Sequence, residues 1–202
     1  MLSQPRVLLV APDRSYRTGA YIAAAAGLGI ELTVASWGRH PLTVNANGIR
    51  LDAGSVDHAI AKIQKVAARN PFSAVIATDD VTVPLVRGIC ERLGLPANGP
   101  RALRASTDKA GFRAACVEQG LPSPAFHVIR AAESVDECCQ RVSFPCVAKP
   151  LSLSASRGVI RCESRGELLG AVARIRQMLS AETLDGEHAI LVEEYLSGDE
   201  YS

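Results

Sequence analysis

Five apolar residues in an unbroken row, Val7 to Ala11, leave little freedom in what surrounds them. The run is too short for a helix, and a strand points successive side chains to opposite faces, so a strand that is apolar at every position needs cover on both. The turn-like Pro12-Asp13-Arg14-Ser15 then leads into a small-residue helix over 16–29. A second strand is expected at 31–36 (ELTVAS), followed by an irregular stretch carrying Trp37, Gly38, Pro41 and Gly48. Residues 56–69 have helical period, with Ile60, Ile63 and either Val66 or Ala67 on one face and Lys62 and Lys65 on the solvated side. Residues 72–78 (FSAVIAT) read as another buried strand, Asp79-Asp80 as the cap of a helix over 83–93, and Gly94-Leu95-Pro96 as its stop. Strands alternating with helices over about a hundred residues predict a parallel sheet.

The pattern changes at Ala97-Asn98-Gly99-Pro100, which places a domain boundary there, with domains at 1–100 and 101–202. Thr107 or Asp108 caps a helix over 109–119, ended by Gly120-Leu121-Pro122. Strands are expected at 125–129, 145–149, 159–162 and 188–195, and helices at 134–142 and 164–179. That order predicts an α+β unit, a curled antiparallel sheet covered by helices.

Charge and cysteine usage narrow the partners. Lys and Arg total 22 against 21 Asp and Glu, a formal net charge of +1 with no dense basic cluster. Such a balance gives no electrostatic footprint for nucleic acid or an anionic membrane, and no apolar stretch is long enough to cross a bilayer, so the expectation is a cytoplasmic protein with small-molecule partners. Cys90, Cys116, Cys138, Cys139, Cys146 and Cys162 show neither CxxC pairing nor ligand spacing and read as small apolar residues or inert thiols; no metal site is expected from them. His40, His58, His127 and His188 likewise lack metal spacing or a nucleophile partner. Only Lys62, Lys65, Lys109 and Lys149 are lysines. In so arginine-rich a chain, a retained lysine marks a position where a compact ammonium is wanted.

Two segments could carry chemistry. Lys149, at a strand end, is followed by the small polar loop Ser152-Leu153-Ser154-Ala155-Ser156-Arg157-Gly158, a combination suited to a polyphosphate through a point charge and exposed amides; taken alone, an ordinary serine-rich hairpin is the more common origin of such a loop. Glu193 and Glu194 end an apolar strand, with Glu200 after the turn. They could offer an adenine edge and a ribose carboxylate, or form a solvated acidic turn. Neither a Walker A motif nor GxGxxG is present, which disfavours dinucleotide binding. Asp79 and Asp80 stand at a strand's C-terminal end, the usual ligand edge, but a helix N-cap is the better explanation of them, and Asp13, Arg14 and Arg17 follow the first strand, where they could face substrate or form a solvated turn.

Taken in order, Thr107-Asp108-Lys109, Gly120-Leu121-Pro122-Ser123-Pro124, Pro145-Cys146-Val147-Ala148-Lys149-Pro150, Ser156-Arg157-Gly158-Val159 and Glu193-Glu194-Tyr195-Leu196-Ser197-Gly198-Asp199-Glu200 resemble the ATP-grasp superfamily. The similarity is strongest to carboxylate–amine ligases and to the biotin carboxylase and carbamoyl phosphate synthetase type of domain. It implies a Rossmann-like pre-ATP-grasp domain over 1–100 and the first ATP-grasp lobe over 101–202, with the second lobe absent. By the same resemblance Lys109 and Lys149 contact the nucleotide phosphates, and Ser154, Ser156 and Gly158 belong to the loop that closes over them. Ala155 and the single glycine depart from glycine-rich versions of that loop. Glu193, Glu194 and Leu196 match the segment bracketing adenine, the latter two mainly through backbone atoms, and Glu200 matches the ribose carboxylate.

The implied reaction is ATP-dependent activation of a carboxylate as an acyl phosphate, which an amine then attacks, with Mg²⁺ and basic residues balancing the phosphoryl charge. A bicarbonate-activating carboxylase or synthetase, or a nucleotide-binding remnant without turnover, are the alternatives. The resemblance puts the magnesium carboxylates in the second lobe, so this chain alone is expected not to hydrolyse ATP, and continuation beyond Ser202 is expected to show an acidic residue and Glu-x-Asn. A small carboxylate and an amine are the implied partners, with a homodimer as a candidate assembly.

Overall fold

A computed structural model describes residues 4–13, 15–37, 47–52, 55–130, 133–181 and 188–199. The chain divides into two compact units, Met1–Leu103 and Arg104–Ser202.

In the first unit β1 (Arg6–Ala11), β2 (Glu31–Ser36), β3 (Asn47–Arg50) and β4 (Ala74–Ala77) form a parallel sheet in the order β3-β2-β1-β4. The unbroken apolar run explains itself by position. Val7, Leu9 and Ala11 pack with Tyr21, Ile22 and Ala25 of α1 (Thr18–Gly27), while Leu8 and Val10 pack with Ala59, Ile63 and Ala67 of α2 (Val56–Ala67) and Leu85 and Ile89 of α3 (Val83–Leu93). Arg6 starts the strand as a buried cation, satisfied by Glu31 Oε1 at 3.0 Å, the Asn70 carbonyl and the Phe72 ring at 4.2 Å. Gly94 ends α3 in the left-handed conformation, φ 67°, and Leu95 N–H returns to the Cys90 carbonyl at 2.9 Å.

Three sequence expectations need correction here. Gly48 and its neighbours form the strand β3 rather than irregular chain, held to β2 by parallel backbone pairing from Thr33↔Asn47 to Ser36↔Arg50, which demands nothing of the side chains. β4 is not buried on both faces; it lies at an edge of the described sheet, and Ile76 is 38% exposed. The carboxylates of Asp79 and Asp80 cap nothing: they lead into a 3-10 turn, Asp80–Thr82, without a side-chain cap, and the Asp79 carboxylate instead accepts Thr78 Oγ1 at 2.6 Å.

In the second unit β5 (Phe126–Ile129), β6 (Cys146–Pro150), β7 (Ile160–Cys162) and β8 (Ile190–Glu194) form an antiparallel sheet in the order β5-β8-β6-β7. One face is covered by α7 (Arg165–Ala181), whose buried Leu168, Ala171, Val172, Ile175 and Leu179 recur at helical spacing, and by α6 (Val135–Cys139) through Cys138. Ahead of the sheet run α4 (Pro100–Thr107), a helix the sequence did not signal because none of its side chains is buried, and α5 (Lys109–Glu118). Asp108 caps α5, its Oδ1 accepting Ala110 N–H at 3.0 Å. Gly111 leaves room for that cap, since a Cβ there would lie 2.9 Å from Asp108 Oδ2.

The thiols are packing groups. Cys90, Cys116, Cys138, Cys146 and Cys162 are buried, and desolvation pushes Cys138 up to about 11 and Cys146 up to about 12. Among the described residues no helix is long and apolar enough to cross a membrane.

Candidate functional site

Strand alternation sets the site. Cys146 and Ala148 of β6 and Ile190 and Val192 of β8 point into the core under α7, so Lys149 and Glu193, which alternate with them, belong to the opposite sheet face. Val147 stands directly across from Glu193, which makes Lys149, two residues on, its diagonal neighbour. The two side chains form an ion pair through Glu193 Oε1.

The second carboxylate oxygen is also occupied. Arg113 Nε donates to Glu193 Oε2 at 3.0 Å from α5. Glu193 is only 7% exposed. Burial alone would push its carboxyl up, but the hydrogen bonds and charges of Arg113 and Lys149 outweigh that and hold it below the ordinary carboxylate range.

One helical turn before Arg113, Lys109 Nζ donates to the carbonyls of Leu151, at 2.9 Å, and Leu153, at 2.7 Å. Lys109 therefore grips the chain just beyond Lys149, where β6 gives way to the small polar loop. Leu153 is the buried anchor of that loop, and Ser154 to Arg157 are exposed. Ala155 and Ser156 both take left-handed conformations, φ 54° and 57°, and Gly158 follows at φ 74°. Turn bonds from Arg157 N–H to the Ser154 carbonyl, 3.2 Å, and from Val159 N–H to the Ser156 carbonyl, 3.3 Å, close it. A Cβ on Gly158 would lie 3.0 Å from Pro150 Cδ, so glycine suits this position on both conformation and space.

At the end of β8, Glu194 N–H donates to the Ala125 carbonyl at 2.9 Å and Tyr195 N–H to the Pro145 carbonyl at 3.1 Å, while the Glu194 side chain points to solvent and Leu196 is 65% exposed. Arg161 stacks on the Tyr195 ring at 3.9 Å. Glu200 and Arg14 lie outside the described residues.

Of the residues singled out from sequence, Lys149 and Glu193 meet directly, and Lys109 reaches the strand end that carries Lys149. Among the described contacts no hydrogen bond joins the Ser154 or Ser156 side chains to either lysine or to Glu193. Arg113 is the site residue that sequence reasoning missed; its signal was the i,i+4 spacing from Lys109 on one helix face.

In the first unit the strand ends gather a smaller polar group. Arg17 Nη1 donates to the Thr78 carbonyl at 2.9 Å and lies 4.0 Å from Asp79. Burial would raise the Asp79 carboxyl, but hydrogen bonds from Ser15 and Thr78 and the Arg17 charge lower it. His127 Nε2 lies 2.6 Å from Glu133 Oε1, a contact within the second unit.

Comparison with known proteins decides the family. Residues 142–202 match the model of the ATP-grasp domain and residues 22–97 that of the ATP-grasp N-terminal domain. The chain belongs to the ATP-grasp superfamily. This ATP-grasp chain is 31% identical over 122 residues to a D-alanine–D-alanine ligase of Glaesserella parasuis serovar 5 (strain SH0165), a match covering 58% of the chain and 38% of that protein. It is 24% identical over 147 residues to an alanine–anticapsin ligase of Bacillus subtilis, covering 71% of the chain and 31% of the relative. Its fold resembles the crystal structure of an L-amino acid ligase from Bacillus licheniformis with a TM-score of 0.73 at 18% identity, over 96% of this chain and 45% of that one. The chain spans between about a third and a half of the length of the curated relatives it matches.

Proposed function

We propose that this ATP-grasp chain is the nucleotide-binding portion of a ligase that activates a carboxylate with ATP and passes the acyl group to an amine. The observation that carries the reading is the convergence of Lys109 and Lys149 at the end of β6, beside an exposed small-residue loop and a buried carboxylate. A polyphosphate needs cations held within reach of its binding site, because transfer of its terminal phosphoryl group depends mostly on positioning and charge stabilisation. Lys109 and Lys149 supply those charges, and the amides of Ser154, Ser156 and Gly158 fold over the phosphates. Glu193, Glu194 and Leu196 border the adenine, and Glu200 takes the ribose hydroxyls.

In the reaction a carboxylate oxygen of the substrate attacks the γ-phosphorus, ADP departs, and an acyl phosphate forms. The amine nitrogen then attacks the acyl carbon, inorganic phosphate leaves with the C–O bonding pair, and the nitrogen releases a proton to the departing phosphate or to water. Magnesium, when bound, would supply positive charge against the phosphoryl group; among the described residues no group of three His, Cys, Asp or Glu is placed to hold such an ion. The first unit, with its parallel sheet, takes the place of a Rossmann-like pre-ATP-grasp domain, and the second that of the first ATP-grasp lobe. Relatives whose names give alanine or an L-amino acid as the ligated compound favour amino acids as the source of both carboxylate and amine over bicarbonate.

Nucleotide binding tests the reading more directly than turnover. Titration calorimetry is expected to show saturable ADP or ATP binding that Lys149→Ala weakens by at least about tenfold. Absence of binding to the wild-type chain, or equal binding by the variant, would overturn it.

A further inference from the structure

The Arg113–Glu193–Lys149 cluster holds two cations on one buried carboxylate. Without Arg113 the remaining pair would be neutral and tightly held, and Lys149 would present no net charge to a polyphosphate. Moving Lys149 away would then abandon an anion in the protein interior, which is strongly unfavourable. With Arg113 on the other oxygen, Lys149 can leave and the carboxylate stays paired.

We propose that Arg113 is a positioning residue that keeps Glu193 neutralised while Lys149 moves onto a nucleotide phosphate. This rests on the nucleotide reading above and goes beyond it, because that reading gives Arg113 no part. The geometry suits such a division of labour. Arg113 projects from α5 one turn after Lys109, so one capped helix fixes both the loop beyond β6, through the Leu151 and Leu153 carbonyls, and the carboxylate of β8. Arg113 uses its Nε toward Glu193, a directional bond that does not depend on Lys149 being present. Among the described residues, the positions paired with Glu193 across the sheet are uncharged, Val147 of β6 and Phe126 of β5, and the further cations on neighbouring elements are engaged elsewhere: Lys109 of α5 with the Leu151 and Leu153 carbonyls, and Arg161 of β7, across from Val147, with Glu163 and the Tyr195 ring. Arg113 and Lys149 are therefore the two charges that decide the ionisation of this carboxylate, which burial on its own would raise.

ADP binding to the full chain tests this, measured for wild type, Arg113→Gln and Arg113→Lys at pH 8 and pH 5.5 and expressed as the ratio of variant to wild-type affinity at each pH, so that titration of the ADP cancels. Arg113→Gln keeps a donor but removes the charge; it is expected to weaken binding at pH 8 by about tenfold and to recover at pH 5.5, where Glu193 takes a proton as Lys149 departs. Arg113→Lys is expected to stay within about threefold of wild type at both pH values, since the charge is retained. In a Glu193→Gln background, Arg113→Gln should change affinity by less than about twofold, because no buried anion remains to hold Lys149. A purely structural role would weaken binding equally at both pH values and in both backgrounds, and that result overturns the proposal. So does an Arg113→Gln variant that binds as wild type does, or, should that variant not fold, a folded Arg113→Lys variant that loses more than about tenfold. Failure of the wild-type chain to bind ADP removes the nucleotide reading and this inference together; normal wild-type binding with an unaffected Arg113→Gln removes this inference alone.

Discussion

Lys149 and Glu193 are diagonal neighbours across the β6–β8 ladder, and their ion pair uses one carboxylate oxygen while Arg113 holds the other. The arrangement makes the three side chains unequal in what their removal costs. Glu193→Ala strands two partly buried cations and is expected to destabilise by about 2–4 kcal/mol, whereas Lys149→Ala leaves Arg113 on the carboxylate and is expected to cost about 1–2 kcal/mol. Urea denaturation of both variants measures the difference. Equal losses would mean that Arg113 does not share the charge.

The same carboxylate gives acid sensitivity a definite direction. Its folded-state pKa lies below the unfolded value, so its contribution is fully present above the ordinary glutamate pKa of about 4.3 and is lost as pH falls from there through the depressed folded value. Asp79 adds a second loss of the same sign in the first unit. Thermal melts between pH 6 and pH 3 should show a steeper decline for wild type than for Glu193→Gln, which has no proton to gain. Parallel curves would show that Glu193 is not ionised by its partners.

What was legible in the sequence follows from which interactions leave a pattern. β1 was visible because burial on both faces requires an unbroken apolar run, and α5 because Asp108 and Gly120 bracket it. β3 contributes only the partly buried Ile49 to the core and contains Gly48, and α4 buries no side chain, so neither left a periodic signal. Lys109 and Lys149, the two lysines proposed to meet the phosphates, stood out because lysine is scarce in this chain; Arg113, one arginine among many, did not. Its significance depends on β8 coming beside α5, a contact between residues 80 positions apart that no local pattern encodes.

The loop after β6 places opposite demands on neighbouring positions. Ala155 and Ser156 already bear a left-handed conformation that costs an L-residue about 1–2 kcal/mol, so Ala155→Gly trades that strain against greater unfolded-state entropy and is expected to change stability by less than about 1 kcal/mol in either direction. Gly158→Ala gains the same strain and also pushes a methyl to 3.0 Å from Pro150 Cδ, so a loss of more than about 1.5 kcal/mol is expected. Denaturation midpoints of the two variants check the contrast, and a neutral Gly158→Ala would show that the loop can adopt another path.

The six cysteines should react in an order set by exposure and thiolate supply rather than by sequence position. Cys138, Cys146 and Cys162 lie at zero exposure in one core cluster under α7, and desolvation, the first cause in each case, raises all three thiols. Cys146 and Cys162 are also direct cross-strand partners, and the effect is one-sided: Cys162 raises the Cys146 thiol further, whereas the hydrogen bond with Cys146 works against the rise of Cys162. Cys90 is raised by burial too, and Cys116 is buried in α5. Cys139, half-exposed at the end of α6, has the best access. Under native conditions at pH 8 a maleimide should therefore label Cys139 first, with the other five following only as the protein unfolds in urea. Mass-spectrometric mapping of the labelled peptides reads this directly, and early modification of Cys146 or Cys162 would mean that the sheet under α7 opens more readily than its packing implies.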